Sequence, residues 1–287
     1  MSYPPLPLPG ATVLVTGGAQ GIGAAVATRL AARGARVAIG DLDADLARTT
    51  AARLGGPGST GHHLDVRDPD SFAAYVAEAE AAHGPVSVLV NNAGVMPNGA
   101  FLDLGDATHR MTMEVNVFGV IHGMRLVLPG MVERGRGHVC NIASLAGKVP
   151  LKGLAVYNAS KYAVVGLTAA TRLEHAADGV SISAVLPSAV DTALASGIDF
   201  SPLPKVSPEK IAEAVEASIV HRTAEIPVPR YIGALAAVMT ATPEPALNVV
   251  RRLVRDDRAL QADDRERAAY QQRLTAETAP AAQAIER

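Results

Sequence analysis

The chain has one cysteine and no tryptophan in 287 residues, and aromatic residues make up only 3% of it. A lone Cys140 excludes an internal disulfide framework and fits a reducing, cytoplasmic setting. Lysine is scarce as well: five of the 26 basic residues are lysines, against 28 acidic residues, for a net charge of -2. That balance offers no basic field for nucleic acid and no polybasic anchor for a membrane surface, which leaves a small molecule as the expected partner. The opening MSYPPLPLPG, residues 1–10, lacks the basic and apolar regions of a secretory leader, and its prolines predict a short extended arm. The apolar run YIGALAAVM from Tyr231 falls well short of the roughly 18–20 residues that a membrane-spanning helix needs. Histidines with H-x3-H spacing are absent, and His62 and His63, adjacent on a predicted strand, point to opposite faces, so a catalytic metal is not expected.

What is present is a rhythm. Short β-branched runs (TVLVT, RVAIG, GHHLDV, VSVLV, GHVCNIAS, VSISAVL, AEIPV) alternate with Ala-rich segments of helical period near residues 21–33, 42–54, 69–82, 106–134, 155–177 and 208–221. The first six runs are apolar nearly throughout, as strands covered on both faces must be, so the pattern predicts one seven-stranded parallel sheet flanked by helices. Short connections predict a single α/β domain over residues 11–230, followed by a C-terminal helical extension and tail over 231–287. Within that tail, the mixed charges of RRLVRDDRALQADDRERAAYQQRL predict a solvated helix fading into disorder. Met111, Met113, Met124 and Cys140 read as core.

Chemical signals sit at successive strand ends. After the first strand, TGGAQGIG places Gly17, Gln20, Gly21, Ile22 and Gly23 before a long helix. Such a turn lets the backbone approach a pyrophosphate at a helix N-terminus, although a Gly-rich turn also serves simple tight-turn geometry. No Lys-Ser/Thr pair follows, which excludes a Walker-type loop. Asp41 ends the second strand, 24 residues after Gly17. A carboxylate there is placed either to bind the hydroxyls of an adenosine ribose or to cap the next helix. Gln20 and Leu42 stand where a basic residue would meet a 2′-phosphate, so NAD is expected over NADP. Asp65 and Val66 follow the third strand, where they can border an adenine, and Asn91, Asn92 and Gly94 follow the fourth, at the ligand-binding edge of an open sheet.

With these motifs assembled, the chain resembles the short-chain dehydrogenase/reductase family over roughly residues 10–230: TGGAQGIG, NNAG, the Asn of MEVNVFG, the Ser of NIAS, YNASK and LPSAVDT occur in the family's order. The twelve residues between Ser144 and Tyr157 match the family's spacing. The resemblance implies a doubly wound Rossmann domain and NAD(P)-linked interconversion of a secondary alcohol and a ketone. It implies a catalytic tetrad of Asn116, Ser144, Tyr157 and Lys161, with Val190 and Thr192 at the nicotinamide carboxamide. Ser188 departs from the pattern, since the family usually has Gly after that proline.

The chemistry agrees with the motif. A free phenol titrates near 10, so a tyrosine exchanging protons at neutral pH needs its ionised form stabilised by about 4 kcal/mol. On a helix, Lys161 shares a face with Tyr157 and brings an ammonium toward it and toward a bound ribose. Ser144, after a strand, is placed to hold the substrate oxygen. Asn116 falls inside a long predicted helix, where Asn is a poor helix former, and a local irregularity there suits a proton relay toward Lys161; a tolerated surface Asn is the alternative. The loop ALASGIDFSPLPKVS is expected to fold over the substrate. YIGALAAVM reads either as an apolar lid or as a subunit contact, and a homodimer through the helices at 106–134 and 155–177 is preferred to a tetramer. A bulky hydrophobic alcohol or ketone is the favoured substrate. A sugar or polyol dehydrogenase, an NADP-dependent ketoreductase of the same fold and a non-catalytic dinucleotide sensor are the alternatives.

Overall fold

The computed structural model describes residues 3–55, 58–198, 200 and 205–246, together with 267, 268, 270 and 272. Seven strands, β1 (Thr12–Thr16), β2 (Arg36–Asp41), β3 (Thr60–His63), β4 (Val86–Asn91), β5 (Gly137–Ile142), β6 (Val180–Pro187) and β7 (Glu225–Val228), form one sheet in the order β3-β2-β1-β4-β5-β6-β7. Every pairing is parallel. All residues of β1, β5 and β6 are buried, which is why these segments are mostly apolar; His138, Asn141, Ser181 and Ser183 are buried polar exceptions.

Helices cover both faces. On one, α1 (Gly21–Ala32), α2 (Ala44–Arg53) and α7 (Pro208–His221) bury Val26, Leu30, Ala47, Ile211 and Val215 against the sheet. On the other, α3 (Pro69–His83), α4 (Asp106–Met113), α5 (Gly119–Glu133) and α6 (Ala155–Glu174) bury Phe72, Tyr75, Met111, Met124 and Val164. The chain leaves β1 toward β2 and β3, then crosses back to β4. That reversal opens a crevice at the carboxyl ends of β1 and β4, the binding position of a doubly wound sheet.

Two features differ from the sequence reading. The helix expected over 106–134 is continuous but not α-helical throughout: residues Glu114–Phe118 form a π-helical turn between α4 and α5, and Asn116, where a local irregularity was expected, lies in it. Asp106–Glu133 is, among the described residues, the one helical stretch long and apolar enough to cross a membrane, but half of its apolar window is buried in this core. The second difference lies in the tail. Most of the segment expected as a solvated helix lies outside the described residues, yet Arg267 and Tyr270 within it are buried. Cys140 lies mid-sheet between Val90 and Ser183, fully buried, and its thiol is pushed up to about 12 by desolvation. Following β7, α8 (Arg230–Ala241) packs Ile232 and Ala236 on Leu145 and Val149 and leaves Tyr231, Leu235 and Val238 exposed.

Candidate active site

The glycine-rich turn closes the crevice from the β1 side. Gly17 has φ +59°, and a Cβ on it would lie 2.9 Å from the Ala93 Cα; a Cβ on Gly23 would lie 2.2 Å from the Gly17 carbonyl oxygen. Helix α1 starts at Gly21 with Gln20 as its N-cap, and it has neither a side-chain cap nor an acidic residue in its first turn. Its leading N–H groups and positive dipole end therefore face the crevice without a side-chain acceptor, a fit for a pyrophosphate. Ile22 is half-buried on the face that packs against the sheet.

Asn92 is the strut of this turn. Its side-chain amide donates to the carbonyls of Thr16 (3.0 Å) and Gly17 (2.9 Å), while the Thr16 hydroxyl accepts from the backbone N–H groups of Asn92 and Ala93, both at 3.0 Å. Thr16 was not singled out from sequence, although its place directly before the double glycine carries the signal. Asn91, expected at the cleft edge, instead donates into the core to Asn141, which continues to Thr168 on α6.

Asp41 is engaged within the chain. Its carboxylate accepts from Ala19 N at 3.1 Å and from Asp43 N at 3.3 Å. The α2 cap is Asp43, whose carboxylate accepts from Leu46 N at 2.9 Å. Burial raises the pKa of Asp65, but hydrogen bonds and charge from Arg67 outweigh it and hold the carboxyl below its ordinary range. Val66 is buried beside it, packed against α5 at Gly119. From the opposite lip, the Thr192 methyl stands 3.6 Å from where a Gly21 Cβ would be, and Val190 is buried in a bridge with Val206. Ser188 keeps a ladder bond, its N–H donating to Val228 at 2.9 Å, so the departure from glycine leaves the β6–β7 pairing intact.

The tetrad residues converge from three elements. Asn116 lies in the π-helical turn and pairs with the Val95 backbone, accepting from its N–H (2.8 Å) and donating to its carbonyl (2.9 Å), with a second donation to Ser160 Oγ at 3.0 Å. Ser160, also not anticipated, donates on to the Tyr157 carbonyl at 2.7 Å. A Cβ on Gly94 would lie 3.2 Å from Asn116 Oδ1 and 3.7 Å from Lys161 Nζ, so the missing side chain leaves both groups on one small space. Ser144 caps the turn after β5, its hydroxyl accepting from Ala146 N at 3.1 Å.

Lys161 Nζ donates to the Ile142 carbonyl at 2.9 Å and lies 5.7 Å from the Tyr157 ring centre. Burial brings its pKa down to about 8. Burial pushes Tyr157 up to about 12, with a hydrogen bond to Ser144 acting in the opposite direction. Met96, Ala146, Leu154 and Ile198 are buried around Tyr157, with Leu151, Leu194 and Phe200 against them, so the phenol stands in an apolar pocket.

The family model for short chain dehydrogenase matches residues 11–200. Ketoacyl reductase HetN of Nostoc sp. is 36% identical over 225 residues, covering 76% of this chain and 78% of that protein. Oxidoreductase UcpA of Escherichia coli is 34% identical over 236 residues, covering 82% and 89%. Among solved structures, a variant of actinorhodin polyketide ketoreductase with NADPH superposes with a TM-score of 0.71 at 34% identity, covering 76% of this chain and 95% of that one. That cofactor overturns the expectation of NAD over NADP. The physical reason lies in Asp41: its carboxylate ties the glycine-rich turn to the end of β2 through Ala19 and Asp43, so its presence does not by itself report a ribose with a free 2′-hydroxyl.

Proposed function

The chain belongs to the short-chain dehydrogenase/reductase family and interconverts an alcohol and a ketone with a nicotinamide dinucleotide, and on that premise we propose that Asn116, Ser144, Tyr157 and Lys161 carry the reaction, with NADPH as reductant and an apolar ketone as substrate. The observation that carries this reading is the Tyr157 phenol inside an apolar pocket, with Ser144 acting against the burial that raises its pKa and the Lys161 ammonium 5.7 Å from its ring centre.

Bound NADPH supplies the hydride that the carbonyl carbon accepts. Ser144 holds the carbonyl oxygen, and Tyr157 Oη gives its proton to that oxygen as the alcohol forms. Burial favours the protonated phenol, the state that donation requires, and the Lys161 ammonium offsets the charge of the phenolate left behind. Lys161 uses one of its three N–H donors on Ile142 and so retains donors for the ribose hydroxyls. Asn116 holds the Val95 backbone and, through Ser160, the first turn of α6 that carries Tyr157.

The cofactor is held in this reading by the turn of Gly17, Gln20, Gly21, Ile22 and Gly23 at its pyrophosphate, by Asp65 and Val66 at its adenine, by Asn92 and Gly94 beneath its nicotinamide half and by Val190 and Thr192 at its carboxamide. Asp41 keeps its bond to Ala19, and its register partner on β3 is His63. NADPH use is supported by the cofactor of the similar actinorhodin ketoreductase. The side chains around Tyr157 favour an apolar ketone over a sugar, and the names of the similar ketoacyl reductases support the carbonyl of an acyl chain. Exposed Phe118 at the π-helical turn, Leu126 on α5 and Tyr162 and Leu173 on α6 support a homodimer through these helices, and the free, buried Cys140 supports a cytoplasmic setting.

The test is oxidation of NADPH by the purified protein over a panel of apolar ketones, with the reverse reaction on the matching alcohols. Turnover that survives Tyr157→Phe at the wild-type rate would remove Tyr157 from the chemistry.

A further inference from the structure

Arg267 is the largest fully buried side chain among the described residues, and no described carboxylate pairs with it. Its partners are three backbone carbonyls: Leu194 (3.2 Å) and Ser196 (2.9 Å) through Nη1, and Met96 (2.5 Å) through Nη2. Tyr270, one turn on, stacks under the guanidinium at 4.8 Å and accepts from Met96 N at 2.7 Å. Met96 thus gives both of its backbone polar groups to a segment more than 170 residues away.

These partners come from two loops that meet beside Tyr157. Met96 follows β4 and packs in the cluster that surrounds Tyr157, Leu194 packs against the same cluster, and Leu194 and Ser196 belong to the loop after β6. Burying a guanidinium on carbonyl partners is costly, and an apolar side chain would fill the same space more cheaply. What an apolar side chain lacks is the fork: a planar group with donors at two separated nitrogens bridges two strands of chain at a fixed distance. The family match ends at residue 200, so Arg267 and Tyr270 lie beyond it while their partners Met96, Leu194 and Ser196 lie inside it.

We propose that Arg267 and Tyr270 are specificity-determining positioning residues, a clamp that fixes the width of the substrate cleft between Met96 and the 194–196 loop and so limits the bulk of the ketone admitted beside Tyr157. The proposal rests on the ketone-reducing reading of the site. It places the size-limiting contact at Arg267 and Tyr270, whereas α8, which carries YIGALAAVM, sits against Leu145 and Val149.

The experiment uses the full chain with Arg267→Leu, which keeps bulk and removes the fork, and Tyr270→Phe, which keeps the ring and removes the acceptor. kcat and KM are measured over ketones of increasing size, with NADPH affinity and amide exchange at Met96 followed in parallel. The expected result is a wild-type kcat/KM that falls with ketone bulk, a profile flattened by at least about tenfold between the largest and smallest ketones in both variants, unchanged NADPH affinity and faster exchange at Met96. A uniform drop across all ketones, or exchange at Met96 as slow as in the wild type, overturns the clamp. Failure of the wild type to reduce any ketone counts against the reaction itself and not against the clamp, which exchange at Met96 reads on its own.

Discussion

Lys161 Nζ is anchored 2.9 Å from the Ile142 carbonyl and 5.7 Å from the centre of the Tyr157 ring. The position of the ammonium is therefore set by the last residue of β5, and the phenol is set by the first turn of α6. Removing either group should have separable effects. Tyr157→Phe is expected to lower kcat by about 10²–10⁴-fold with NADPH affinity within a few-fold, since the ring stays and only the proton is lost. Lys161→Ala is expected to lower kcat and also to weaken NADPH by about tenfold or more, because a charged hydrogen-bond partner of the ribose is removed. Stopped-flow turnover and cofactor titration read the two effects apart, and equal damage to cofactor affinity in both variants would contradict the division of labour.

A methyl group at Gly23 meets the Gly17 carbonyl oxygen at 2.2 Å and the Asn92 amide at 2.7 Å. Gly23→Ala is therefore expected to push the glycine-rich turn out of position, with a stability loss of about 1–3 kcal/mol and a marked loss of dinucleotide affinity. Denaturant unfolding and calorimetric titration check it. Wild-type cofactor affinity in this variant would mean that the turn does not hold the pyrophosphate.

Asp41 offers a test of charge apart from geometry. Asp41→Asn retains an oxygen to accept from Ala19 N and removes the negative charge beside the expected 2′-phosphate. KM for NADPH is expected to fall several-fold with little change in thermal stability. An unchanged KM would show that the carboxylate does not face the phosphate.

Acid sensitivity is expected from His138. Its ring is fully buried between Ser181 Oγ (2.7 Å) and Ser218 Oγ (3.0 Å), and burial first, then Arg222 and Arg172, holds its pKa well below 6.5. The unfolded chain binds that proton more readily than the folded one, so the stability is fully present above about 6.5 and is lost as pH falls below it. His138→Gln should flatten the fall in melting temperature between neutral and mildly acidic pH. A slope as steep as the wild type's would assign the acid limb to other groups.

The central strands β1, β4, β5 and β6 were legible because near-complete burial leaves a largely apolar signature that needs no partner to interpret, whereas the edge strands β3 and β7 are part-exposed and were placed by the alternating rhythm of the chain. The π-helical turn at Glu114–Phe118 was partly legible, since Asn116 is a poor helix former in the middle of a helical pattern; its pairing with Val95 was not, because that depends on where the β4 loop returns. Asp41 was read from its strand-end position alone, and the two backbone N–H groups that engage it, those of Ala19 and Asp43, lie in two separate turns whose shapes no spacing rule describes. Arg267 and Tyr270 were hidden for a different reason. Their segment is rich in charge of both signs and reads as solvated, whereas the carbonyls that draw Arg267 inward are sequence-independent groups on loops more than 70 residues away.

The burial of Cys140 gives the chain a built-in reporter. A thiol held near 12 in the middle of the sheet is unreactive toward disulfide reagents while β4, β5 and β6 remain paired. Each labelling event therefore counts one opening of the central sheet, and because no second thiol competes, the labelling rate under native conditions measures the free energy of that opening in the unmodified protein.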